Sequence, residues 1–116
     1  MNHADCLFCK IVDGKIPAKI VYDDALCLAF EDVNPKSPVH VLLIPKNHVA
    51  TTNDLLPEDE PMVGHLVTVA AGIAKARGID GAGYRLVLNC NAASGQSVFH
   101  IHLHLMGGRS FAWPPG

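Results

Sequence analysis

Val98-Phe99-His100-Ile101-His102-Leu103-His104-Leu105-Met106 is the stretch from which the rest of the chain is read. Apolar side chains and imidazoles alternate along it. In a β-strand, side chains two apart share a face. The stretch is therefore predicted as a strand whose Ile101, Leu103 and Leu105 enter the core while His100, His102 and His104 line the opposite face. Neighbours in that row would stand ~6–7 Å apart and the outer two ~13 Å apart, from the strand rise. One metal ion can take an adjacent pair at that spacing, but not all three without bending the strand. Imidazole changes charge near neutral pH, attacks as a base or nucleophile, and donates to anionic oxygens when protonated. A row of three suits a phosphorus centre flanked by anionic oxygens. The plainer alternative is a solvated polar face; three same-face histidines on an otherwise apolar strand argue against it.

The surrounding segments read around this strand. Ser94-Gly95-Gln96-Ser97, just upstream, carries hydroxyls, an amide and a permissive glycine, a loop that can turn N–H groups toward a phosphate. Residues 84–89 read as the preceding strand, with Asn89 at its end. Residues 60–77 read as the one long helix. Its N-terminal end is acidic, Gly78 follows it, and Met62, Leu66, Val69, Ala70, Ile73 and Ala76 are spaced as one apolar face. Residues 39–44 form another strand, after a loop with prolines at 35 and 38. Residues 20–22 and 27–30 form a hairpin around Asp23-Asp24. Residues 7–12 form a short helix stopped at Asp13-Gly14. The fold class is α+β: a mostly antiparallel sheet, one long helix and a short N-terminal helix. Trp113-Pro114-Pro115-Gly116 fits neither a helix nor an inner strand.

With 116 residues, the chain is read as one domain, 1–116. Hydrophobic residues at 49% support a real core, though a modest one that pairing with a second copy would enlarge. A net charge of −2 without a basic stripe excludes broad nucleic-acid binding. No apolar run approaches the ~20 residues of a membrane span. Met1 to Cys6 has neither a basic start nor an apolar stretch, so no secretory leader is read. The expected location is the cytoplasm, with reduced thiols. There Cys6 and Cys9, a C-x-x-C pair, read as metal or redox chemistry before they read as a disulfide. Zinc takes four ligands, and His48 and His100 are the best candidates to complete the set. An unmetallated thiol pair and a redox pair remain alternatives. Cys27 reads as a small core residue, His65 as a surface or internally satisfied histidine, and His3 as idle near the chain end.

His100-Ile101-His102-Leu103-His104-Leu105-Met106 matches the histidine triad signature, and the chain resembles the histidine triad (HIT) family. The likeness also covers Ile16-Pro17-Ala18-Lys19, Asp32, Pro38-Val39-His40, Ile44-Pro45-Lys46, His48, Gly83-Tyr84-Arg85 and Gly95-Gln96-Ser97. Gly107-Gly108-Arg109 and Trp113-Pro114-Pro115-Gly116 point to its Hint branch, the purine nucleoside phosphoramidases. The resemblance implies a HIT-like fold and homodimers whose two sheets join. It implies binding of purine nucleoside monophosphates, hydrolysis of phosphoramidates, and no organic cofactor. It makes His102 the nucleophile. It gives His100 and His104 the tasks of orienting it, contacting phosphate oxygens and helping protonate the leaving amine, with His40 as the supporting fourth histidine. Asp32 would hold the ribose hydroxyls; from the residues alone it reads equally as a turn cap before Asn34-Pro35. Phe8, Ile16, Val33 and Leu42 would form an apolar purine slot, or serve only as core. Asn89, Gln96 and Ser97 would stand near the α-phosphate, and Trp113 would reach toward the partner subunit. Some bacterial relatives carry a zinc at the positions of Cys6, Cys9, His48 and His100; if zinc takes His100, that residue orients His102 through the backbone. Two rivals are kept: a dinucleoside polyphosphate hydrolase or nucleotidyl transferase on the same triad, and a non-catalytic purine-nucleotide-binding module.

Overall fold

The computed structural model describes residues 3–116. Met1 and Asn2, part of the segment read for a leader, lie outside the described residues. The elements in chain order are α1 (Leu7–Val12), β1 (Ile20–Asp23), β2 (Cys27–Glu31), β3 (Val39–Pro45), α2 (Glu60–Ala76), β4 (Tyr84–Leu88) and β5 (Leu103–Gly107), with 3-10 turns at Thr52–Asp54, Pro57–Asp59 and Ala92–Ser94. The five strands form one antiparallel sheet in the order β1-β2-β3-β5-β4. The expected α+β class and its elements are present.

The period-two pattern sorts the sheet into two faces. Cys27, Ala29, Val41, Leu43, Leu103 and Leu105 pack with Leu66, Val69, Ala70, Ile73 and Ala74 of α2 into the larger core. Leu28, Phe30, Leu42 and Ile44 face the other way and pack with Phe8 of α1. The helix face departs from the expected one at its last turn. Ala74 is buried and Ala76 exposed, because the helix crosses the sheet with Ala70, Ile73 and Ala74 turned toward it. His65 is internally satisfied: its Nε2 lies 2.6 Å from Oδ2 of Asp24 and ties α2 to the β1–β2 turn. Gly107-Gly108 sits where a Cβ would strike Ile79 and Pro38.

The final strand is shorter than residues 98–106. Regular pairing begins only at Leu103, opposite Leu43 of β3 and Leu88 of β4. Continuing the β3 register would set Pro45 opposite Ile101, and proline has no N–H to give to a ladder. The carbonyl of Pro45 is occupied by the His100 ring. Ile101 N–H instead donates to Val49 O at 2.8 Å. Residues 98–102 therefore run as an irregular segment. His104 stands on the strand, while His100 and His102 precede it. Among the described residues, no helix is long and apolar enough to cross a membrane.

Candidate active site

His102 is buried, and its Nδ1 lies 2.8 Å from the carbonyl oxygen of His100. A carbonyl only accepts, so Nδ1 carries the proton and Nε2 keeps a free lone pair. The ring of Phe8 stands edge-on to it, with centroids 5.1 Å apart.

A second tautomer chain runs beside it. Lys36 N–H donates to His40 Nδ1 at 3.0 Å, so the His40 proton sits on Nε2. That Nε2 donates to His104 Nδ1 at 2.9 Å, which leaves the His104 proton on Nε2. Asp32 Oδ2 lies 3.4 Å from the same His40 nitrogen. Its Oδ1 accepts from Asn34 N–H at 2.8 Å, so Asp32 also caps the turn. Burial holds the His104 imidazole down to about 4, and the neighbouring His102 and His40 rings add to that shift. Burial lowers His40 too, against the opposing pull of Asp32. Both rings are therefore neutral at pH 7. The His102 and His104 centroids are 5.0 Å apart, so the free lone pair and a proton donor stand side by side.

His100 faces elsewhere. Its Nε2 donates to Pro45 O at 2.8 Å, which leaves the lone pair on Nδ1, 3.4 Å from both Cys6 Sγ and Cys9 Sγ. His48 Nδ1 lies 3.3 Å from Cys9 Sγ. The four ligand atoms of Cys6, Cys9, His48 and His100 all fall within 4.8 Å of one another. Cys6 caps α1 and accepts from Cys9 N–H at 3.3 Å. These are two sulfurs and two imidazole nitrogens on converging lone pairs, a set that fits a tetrahedral metal. The direct contact with phosphate implied for His100 is not what its ring is placed to make, since both nitrogens are engaged away from His102. Its contribution to His102 passes through its own carbonyl.

The other predicted site residues divide. Phe8 and Leu42 are buried in one cluster beside the histidines. Ile16 is half-buried, and Val33 is 99% exposed, standing clear of that cluster. Asn89 lies one residue past Leu88, the last β4 residue paired with β5. Gln96 is turned inward: its Oε1 accepts from Asn91 N–H, and its Nε2 donates to Ala50 O and Val98 O. It therefore shapes the loop and has no side-chain atom left to offer a phosphate. Ser97 is exposed beside Cys6 and His48. Trp113 is 83% exposed. The groups missed from sequence are main-chain atoms: Lys36 N–H and the carbonyls of His100 and Pro45. Any residue supplies those atoms, so residue identity carries no signal for them. A cavity of about 760 Å³ opens between β1 and α2 on the far face of the sheet, and none of the triad lines it.

The HIT domain family model matches residues 13–111. The purine nucleoside phosphoramidase of Escherichia coli is 48% identical over 105 residues, 90% of this chain and 88% of that one. An uncharacterized HIT-like protein of Synechocystis is 54% identical over 112 residues, 97% of each chain. A HIT family hydrolase from Legionella pneumophila superposes with a TM-score of 0.95 at 50% identity, covering 97% of this chain and all of its own. A histidine triad protein from Clostridium difficile superposes at 0.93 and 40% identity, covering 97% of both chains.

Proposed function

The chain belongs to the HIT family, and from that premise we propose that it hydrolyses the P–N bond of purine nucleoside phosphoramidates. The observation that carries the reading is the orientation of His102. Its Nδ1–H is fixed on the His100 carbonyl and its Nε2 lone pair is free. Nε2 attacks phosphorus, the P–N bond breaks, and its electron pair leaves with the nitrogen. The departing nitrogen needs a proton to leave as an amine. His104, beside His102 and backed by His40 and Asp32, supplies it. An anionic phosphate next to its ring opposes the effect of burial and favours the protonated form. Water then attacks phosphorus, giving its proton to His104, and the nitrogen–phosphorus bond to His102 breaks. This step releases the nucleoside monophosphate and restores the imidazole. Phe8 and Leu42 supply apolar surface for the base, and Asp32 is the carboxylate available to the ribose hydroxyls.

The reading includes a structural zinc on Cys6, Cys9, His48 and His100. When bound, the ion cross-links α1 to the segments that carry His48 and His100 and so steadies the carbonyl on which His102 rests. It also includes a homodimer, for which β4 leaves a sheet edge unpaired, and a reducing cytoplasm, which suits four free cysteines.

The test is steady-state hydrolysis of an AMP phosphoramidate with a fluorescent amine, native protein against His102→Ala. Turnover that falls by at least a thousandfold in the variant is expected. A folded native protein that binds AMP and turns over nothing would replace this reading with the binding module.

A further inference from the structure

Asp24, Cys27 and His65 meet on the helix side of the sheet, away from the triad. Asp24 stands in the turn after β1, Cys27 opens β2, and His65 lies on α2. The turn fixes the carboxylate: Oδ1 accepts from Leu26 N–H at 2.8 Å and from Cys27 N–H at 2.9 Å. Oδ2 accepts from Tyr22 O–H at 2.8 Å and lies 2.6 Å from His65 Nε2. Cys27 is fully buried in the core under α2, whereas the side chains of Asp24 and His65 are 26% and 31% exposed.

The ligand atoms of the three residues, a carboxylate oxygen, a sulfur and an imidazole nitrogen, all lie within 4.8 Å of one another. An ion with bonds of about 2.0–2.3 Å sets its ligands ~3.3–3.8 Å apart, so the Asp24–His65 contact opens by about 1 Å to admit it. The part-exposed His65 ring has room for that movement. A tie between the turn and α2 needs only Asp24 and His65; the sulfur at the third corner completes a mixed donor set. Such a set suits a borderline-soft divalent ion of the zinc class, whereas magnesium and calcium take oxygens. Tyr22 and His65 also line the cavity of about 760 Å³ between β1 and α2, through which water reaches a fourth position. β1 is the sheet edge opposite β4, so the set stands clear of the edge left to a second copy.

We propose that Asp24, Cys27 and His65 form a second metal site, which takes a zinc-class divalent ion with water as its fourth ligand. The ion replaces the proton between His65 Nε2 and Asp24 Oδ2. His65 then carries its proton on Nδ1, and Cys27 releases its thiol proton to solvent. The ion locks the β1–β2 turn onto α2. With three protein ligands against four, this is the weaker of the two sets and fills only when the cation is added. The site does not depend on the phosphoramidase reading.

The test is equilibrium dialysis of the full chain against micromolar Zn2+, for native protein, Cys27→Ala and His65→Gln, with folding checked by circular dichroism. Glutamine keeps a hydrogen bond to Asp24 but is a poor zinc ligand. Native protein should hold one more zinc per chain than either variant, whatever the four-ligand set holds. Loss of a ligand should weaken this site by at least about a hundredfold, beyond the range for an outer partner. With Co2+ in place of zinc, part of the sulfur-to-cobalt charge-transfer band should disappear in both variants. Should Cys27→Ala fail to fold, the loss of that band in His65→Gln decides. Equal metal content in native protein and the variants overturns the site and leaves a hydrogen-bonded tie. An extra ion that survives in Cys27→Ala overturns it as an adventitious ion on the exposed pair, and one that survives in His65→Gln overturns it too. Displacement of the extra zinc by excess Mg2+ overturns the cation class and the site with it.

Discussion

His102 owes its free Nε2 lone pair to one hydrogen bond with a main-chain oxygen, and His104 owes the place of its proton to a chain that begins at a main-chain N–H. The consequence for His40 is specific. His40→Ala removes the donor to His104 Nδ1, freeing the His104 proton to move to either nitrogen. Its kcat is expected to fall about a hundredfold, the usual scale for a misplaced acid–base group, with KM for the nucleotide nearly unchanged. Steady-state kinetics on the fluorescent phosphoramidate measures this; an unchanged kcat would remove His40 from the proton chain. The imidazoles themselves were legible in the sequence, because three at period two on an apolar strand form a recognisable pattern. Their tautomers were not, since the groups that decide them are backbone atoms. Asp32 shows the same limit: both readings of it were open, and in the fold one oxygen caps the turn while the other lies beside His40.

The elements followed their sequence patterns except where a tertiary bond outweighed local preference. The histidine segment alternates well enough to be a strand throughout, yet Pro45 ends the ladder and the His100 ring takes the carbonyl that remains. On α2, helical spacing admits both Ala74 and Ala76 to the apolar stripe, and only the crossing of the helix over the sheet separates them. Ala76→Lys should leave stability within about 0.5 kcal/mol, whereas Ala74→Lys, which buries a charge, should cost several kcal/mol. Urea denaturation of the two variants checks this; equal midpoints would mean that the helix is rotated from the position given. Gln96 belongs to this scale as well. Gln96→Ala leaves Asn91 N–H and two carbonyls without their partner and should cost ~1–3 kcal/mol, read by the same titration.

For the whole molecule, the buried histidines set a pH window. His40 and His104 are neutral in the fold, and His104 takes up a proton only near about 4. Unfolded imidazoles do so near ~6.5. Below that value the unfolded chain binds more protons, so stability present at neutral pH should be lost progressively as pH falls from about 6.5 to about 4. Thermal melts across that range test it; a constant melting temperature would contradict the burial of these rings. The thiol–imidazole cluster makes a separate prediction. Protein purified without chelator should contain one zinc per chain, Cys9→Ala should contain almost none, and chelation should lower the melting temperature. A folded native sample without metal would leave the cluster as a hydrogen-bonded thiol pair.

The sequence by itself determined the fold class, the antiparallel sheet with its long helix, and the cluster of histidines, because periodicity and residue type are local properties. Only the tertiary structure decided what each histidine does. His100 turns toward two thiols 94 and 91 residues earlier in the chain, His102 rests on its neighbour's carbonyl, and His104 joins His40 and Asp32. Ring orientation depends on hydrogen-bond partners brought together by folding, and those partners are far away in sequence or belong to the backbone, where the side chain's identity leaves no trace.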